Sequence, residues 1–146
     1  MRIRIVNQQL RRVDRVRLRR VARAVMKAEQ CHPQAELSVA LGDDAWIQDL
    51  NKTYRNTGKP TDVLAFPQGV SALRELVLLG DVAISAETAD RQAAKLGHSL
   101  MCELEILLAH GILHLTGWQD DTSERRRRMM LRTREILSQL GEVGER

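Results

Sequence analysis

The spacing of hydrophobic positions changes several times along the chain, and each change marks an element. Residues 2–6 alternate, with Ile3 and Ile5 on one side and Arg2 and Arg4 on the other, which is the pattern of a half-buried strand. From Asp14 to about Gln30 the period lengthens to that of a helix, with Leu18, Val21, Val25 and Ala28 on one face and Arg12, Arg15, Arg19 and Arg23 on the other. His32-Pro33 breaks it, and Leu37, Val39 and Leu41 alternate as a second strand. Gly42-Asp43-Asp44 then supplies a turn and cap for a helix through Trp46, Ile47 and Leu50 to about Tyr54.

Val63 to Phe66 reads as a short strand, with a neighbour running from about Leu76 to Ser85. Gly80-Asp81 interrupts that neighbour, either as a bulge whose carboxylate is satisfied by backbone donors or as a chemical feature. An amphipathic helix opens at Ser85 or Ala86 and stops at Gly97, and His98-Ser99 caps a helix that is apolar almost all round and therefore buried. Asp121, with Glu124 three residues on, caps a last helix whose apolar face carries Met129, Ile136 and Leu140, joined by Met130 and Leu137. The expected architecture is one α+β domain over residues 1–146, a small mixed sheet of about four strands packed with helices around a central buried helix.

Composition narrows the partners. The formal charge is +4 with most of the positive side from arginine, whose guanidinium fork matches phosphate oxygens. The basic faces near Arg15 and along Arg125 to Arg128 read either as solvated helix sides or as phosphate contacts. With one Phe, one Tyr and two Trp, the chain lacks a row of stacking rings, so RNA contact is expected to work mainly through charge. Cys31 and Cys102 form no CxxC pair and read as free thiols in a reducing compartment. No apolar run has membrane-spanning length and the Arg-rich start lacks a signal-peptide core, so a cytoplasmic protein with no membrane partner is expected.

The candidate chemistry lies in the central helix and just beyond it. His110 and His114 are four residues apart, roughly 40° in azimuth and about 6 Å along the axis, so both can grip one ion. Gly117 suits a helix stop, and Asp120 follows after two more residues, giving H-x3-H-x2-G-x2-D. Two histidines and a carboxylate leave the fourth position of a tetrahedral ion open, the arrangement of catalytic zinc. Asp121 is the alternative third ligand if the turn slips by one, whereas His32 and His98, at element boundaries, read as structural. The spacing is similar to the zinc-peptidase helix H-E-x-x-H-x-x-G, but Gly111 stands where the general-base glutamate belongs.

His110-Gly111-Ile112-Leu113-His114-Leu115-Thr116-Gly117 resembles the motif of the YbeY-type bacterial endoribonucleases that mature ribosomal RNA. The resemblance extends to Asn51, Tyr54-Arg55, Thr61-Asp62-Val63-Leu64 with Phe66-Pro67, and Leu79-Gly80-Asp81 with Ile84-Ser85. It implies a single-strand-selective, metal-dependent endoribonuclease of ribosomal RNA maturation and ribosome quality control, with one Zn2+ or another divalent ion. The partners it implies are single-stranded RNA, ribosomal RNA and ribosome components. It also implies an essential arginine, which falls on Arg55, suited to the negative charge that gathers on a phosphodiester in its transition state. The chain departs from the family at Ala65, where the family has serine, and at Asp120, where it has histidine. An aspartate ligand lowers the ion's Lewis acidity, so slower chemistry or a harder metal would follow. The rival readings are a ribosome-associated binding factor with a structural or degenerate metal site, and a metzincin-like metallohydrolase on another substrate.

Overall fold

The computed structural model describes residues 1–55, 61–67 and 78–140, and of Arg55 the backbone alone. In chain order the elements are β1 (Arg2–Asn7), α1 (Arg15–Ala28), β2 (Glu36–Gly42), α2 (Asp44–Arg55), β3 (Val63–Pro67), β4 (Leu78–Ser85), α3 (Ala86–Leu96), α4 (Leu100–Leu115) and α5 (Ser123–Ser138). The strands form one sheet in the order β1-β2-β4-β3. β1, β2 and β4 run parallel, and β3 pairs antiparallel to β4 at the edge. This is the expected α+β arrangement with a mixed four-stranded sheet. Residues 76 and 77, expected at the start of β4, lie outside the described residues.

Alternation divides the sheet into two faces. Ile3, Ile5, Leu37, Val39, Leu41, Val82 and Ile84 join α1, α4 and part of α5 in the main core. On the other face Ile47 of α2 packs with Leu64 and Ala83. The interruption at Gly80 is a bulge: Glu36 pairs with Leu78 but Leu37 pairs with Gly80, so one residue of β4 is extra. Gly80 has φ +144, and a Cβ there would stand 2.4 Å from the Phe66 carbonyl oxygen, so only glycine suits the position.

α4 is buried almost throughout, as its all-round apolar pattern predicts, but it also carries two buried glutamates. Glu105, 1% exposed, accepts hydrogen bonds from Arg17 Nε and Nη2 at 3.3 and 3.1 Å, which ties α4 to α1. Glu103 bonds His98 Nε2 at 2.6 Å, giving His98 the structural place expected of it at the head of the helix. Among the described residues no single helix is long and apolar enough to cross a membrane.

At the start of α5 the cap differs from expectation by one residue. Thr122, not Asp121, accepts from the Arg125 backbone N–H, at 3.1 Å. The Asp121 carboxylate is occupied by the Arg125 guanidinium at 2.8 Å, and a carboxylate turned outward to a cation cannot also fold back on its own helix.

Asp44 locks the starts of α2 and α3 together. Its carboxylate accepts from Ser85 Oγ at 2.5 Å and Thr88 Oγ1 at 2.6 Å and pairs with Arg91 at 2.9 Å, while its own N–H donates to Glu87 Oε1 at 2.8 Å. Burial opposes ionisation, but these three donors outweigh it and hold the carboxyl below the usual range. The linkage is then that of an acid with a depressed folded-state pKa: its stabilisation is complete above the unfolded value of about 3.9 and disappears as pH falls through the lower folded value. Asp44→Ala is expected to lower unfolding stability by about 2 kcal/mol at pH 7. By urea denaturation the gap between wild type and variant should close in strong acid, and an equal gap at pH 7 and pH 2 would rule this out.

Candidate metal centre

α4 ends in a tight reversal that brings its last turn into play. Trp118 N donates to the Leu113 carbonyl at 3.0 Å, Thr116 Oγ1 donates to the same carbonyl at 2.9 Å, and Gly117 takes φ +107, the conformation for which glycine is suited. The chain then turns back, and Asp120 Oδ2 comes within 3.4 Å of His114 Nε2. His114 Nδ1 lies 3.1 Å from the Trp118 carbonyl oxygen. A carbonyl can only accept, so Nδ1 carries the proton, and in the neutral ring the Nε2 lone pair faces Asp120. Trp118 is itself anchored: its indole N–H donates to Glu29 Oε1 at 2.7 Å, and Glu29 Oε2 accepts from Arg132 at 2.9 Å. α1, the turn and α5 therefore jointly set the orientation of His114.

His110 sits one turn deeper. Its Nε2 is buried and has no hydrogen-bond partner, the sole buried side-chain polar atom among the described residues in that condition. Burial is the largest influence on the ring and pulls its pKa below that of a free histidine; the nearby His114 adds to this, and the charges of Asp62 and Asp120 pull the other way without reversing it. The ring is therefore neutral, as a metal ligand must be. A buried imidazole nitrogen without a partner in the polypeptide is unfavourable, and it marks His110 as a candidate ligand.

The spacing of one donor pair matches two ligands of a small divalent ion. Ion–nitrogen and ion–oxygen bonds of about 2.0–2.2 Å at a tetrahedral centre place two ligand atoms about 3.4 Å apart, the observed His114–Asp120 separation. Nevertheless, among the described residues no three His, Cys, Asp or Glu side chains converge closely enough to enclose an ion. The geometry present is one ligand edge, His114 with Asp120, beside the orphaned nitrogen of His110. Asp121 is not part of it, because its carboxylate is held by Arg125, whose hydrogen bond also lowers its pKa. Arg55 ends α2, and its side chain lies outside the described residues.

Two contributors act through packing that spacing along the chain does not show. Asp62, just before β3, is close enough to act electrostatically on His110, and it is held there by Gln92 Nε2 at 3.3 Å and by the Ser85 N–H bonding its carbonyl at 2.9 Å. Gly111 is the second. A Cβ at this position would lie 2.6 Å from Val82 Cγ1 and 3.3 Å from Val63 Cγ2, so the missing side chain is what lets the ligand-bearing turn of α4 settle on β3 and β4.

Comparison with known proteins places this geometry in context. The family model described as Endoribonuclease YbeY matches residues 4–141. The chain is 42% identical over 127 residues to Endoribonuclease YbeY of Pelotomaculum thermopropionicum, covering 84% of each. It is 43% identical over 132 residues to that of Moorella thermoacetica, 85% of each. With that of Thermobifida fusca it shares 38% identity over 144 residues, 94% of this chain and 93% of the relative. The solution structure of TM1509 from Thermotoga maritima is similar at a TM-score of 0.61 and 22% identity, covering 99% of each chain, a likeness of fold.

Gly111→Ala is expected to destabilise the protein by about 1–3 kcal/mol, since Val82 is 1% exposed and branched at Cβ and cannot swing aside. Val82→Ala removes the obstruction, so the double variant should be less destabilised than the sum of the singles. Additive losses in chemical denaturation would mean that the two positions do not meet.

Proposed function

The chain belongs to the endoribonuclease YbeY family, and from that premise we propose that it is a metal-dependent endoribonuclease that cleaves single-stranded RNA in ribosomal RNA maturation and ribosome quality control. The observation that carries the metal dependence is the buried, partnerless Nε2 of His110 beside the His114–Asp120 edge. His110, His114 and Asp120 are the proposed ligands of one zinc ion with an open fourth position, and ribosomal RNA in the cytoplasm is the proposed setting. When bound, such an ion supplies Lewis acidity to the phosphodiester and activates water as the nucleophile.

The chain's own residues prepare the site for this. Burial keeps His110 neutral, the Trp118 carbonyl fixes the His114 tautomer, and Asp120 offers a charge that offsets part of the cation's. Arg55, at the end of α2, is the proposed phosphate contact, where a guanidinium opposes the charge that builds on the non-bridging oxygens. The peptidase reading loses support at Gly111, since the space a general-base glutamate would need there is occupied by Val82.

The test measures bound metal alongside cleavage of single-stranded RNA and of casein in wild type, His114→Ala, Arg55→Ala and Asp120→His. His114→Ala should lose metal, and cleavage should fall about a hundredfold or more. Arg55→Ala should keep metal while cleavage falls about 10²- to 10³-fold. Asp120→His should keep metal and shift the rise of rate with pH to lower pH, because a neutral ligand leaves the cation more acidic. RNA cleavage that survives loss of His114 would sink the metal mechanism. Stoichiometric metal without cleavage would favour the binding factor, and casein cleavage the metallohydrolase.

A further inference from the structure

Among the described residues, the face of the sheet turned away from α4 is only partly covered. α2 packs over β3 and β4, and between it and the exposed sides of β1 and β2 lies a cavity of about 430 Å3, within the range of about 300–1,000 Å3 usual for small-ligand sites. We propose that this cavity is a nucleobase subsite for the single-stranded RNA substrate. The proposal rests on the RNA reading above and adds a specific place for a base.

Aromatic side chains are the first reason. The whole chain has two Trp, one Tyr and one Phe, and Trp46, Tyr54 and Phe66 all line this cavity. Gly42 makes room for the Trp46 ring, which lies 2.2 Å from where a Cβ would be. Tyr54 meets Phe66 edge to face, with ring centroids 5.6 Å apart and planes at 69°, and yet remains 68% exposed. An exposed tyrosine braced by a second ring is a ready stacking platform, and stacking is how proteins hold unpaired bases.

Polar chemistry is the second. Arg4, Ser38 and Asp81 share the lining with the rings. They bring a guanidinium donor, a hydroxyl able to donate and accept, and a carboxylate acceptor, which matches the mixed donors and acceptors on a base edge. An apolar peptide or acyl chain would cover the Arg4 guanidinium and the Ser38 hydroxyl without offering them hydrogen bonds, a penalty that disfavours it.

Position is the third. A Cβ at Gly80 would meet the Phe66 carbonyl and, at 2.9 Å, the side chain of Leu115, the residue after His114. The cavity wall and the end of the ligand-bearing helix therefore meet across the β3–β4 edge. Tyr54 also directly precedes Arg55 in α2. A strand whose phosphate lies at the metal centre can pass around edge strand β3 and place a neighbouring base among the rings.

The test uses Arg55→Ala/Trp118→Phe protein, in which metal is kept, cleavage is slowed and Trp46 is the sole tryptophan. It is titrated with a fluorescein-labelled 12-nucleotide single-stranded RNA and with the same strand carrying abasic residues at its internal positions. Intact RNA should quench Trp46 saturably and bind, by anisotropy, about 5- to 100-fold more tightly than the abasic strand. Ala40→Met, which grows a side chain from β2 into the cavity, and Tyr54→Ala should each erase that difference, whereas Tyr54→Phe should keep it. RNA binding with undisturbed Trp46 emission and equal affinity for the two strands would overturn the subsite and leave the RNA reading standing. No binding of either strand would overturn both.

Discussion

The contact of α4 with β3 and β4 at Gly111 is the constraint on which the rest of this molecule depends. A helix apolar on all sides has to be enclosed, and here the sheet, α1, α3 and α5 enclose it. The absent side chain at Gly111 sets how near the helix lies to Val82 and Val63. That approach also carries His110 toward the start of β3, where Asp62 stands. Packing density and ligand placement are thus one geometric problem, and the glycine that solves the first excludes peptidase-type chemistry at the same position.

Along α4 the polar groups divide into two sets. Toward its N-terminus, Glu103 and Glu105 are buried but paired, with His98 and Arg17. Removing one member of such a pair strands the other, so these contacts hold the helix in register between its neighbours. Toward its C-terminus, His114 is oriented by Trp118 and His110 has an unsatisfied nitrogen. The two ends of the helix thus differ, with buried charges paired at one and a buried imidazole nitrogen unpartnered within the polypeptide at the other.

Much of this was legible in the chain because the relevant signals are local. Strand alternation in residues 2–6 and the Gly97 and Gly117 stops each depend on residues within a turn or two, and all of them correspond to structure, while the His110–His114 spacing falls within one helix. The cap of α5 was misread by one residue because Asp121 and Thr122 are both good caps, and a side-chain contact to Arg125 decides between them. The anchoring by Trp118 and Glu29, and the closeness of Asp62 to His110, were hidden for a different reason. Both depend on which elements the fold brings together, α1 with the turn and β3 with α4, and no periodicity encodes that. The aromatic residues show the same limit, since their scarcity is plain in the composition but their gathering around one cavity is a property of the sheet's second face.

The edge strand β3 connects the two halves of the proposed RNA path. Edge strands present unpaired backbone groups and invite company, and this one is five residues long and ends in Pro67, which has no N–H to offer. Asp62, ahead of the strand and outside its alternation, acts on His110, and Phe66 near its end belongs to the cavity side. Because side chains alternate along a strand, a single short edge serves both faces without distortion, Val63 joining the α4 core and Leu64 the α2 core. A phosphate and a base of one flexible strand lie on opposite sides of its sugar, so a ligand that wraps such an edge meets a cation site on one face and stacking rings on the other. A duplex, whose bases are turned inward and stacked on one another, has no base to place there. With a base held in the proposed cavity, selection of single strands would come from the second face of the sheet rather than from the proposed metal centre.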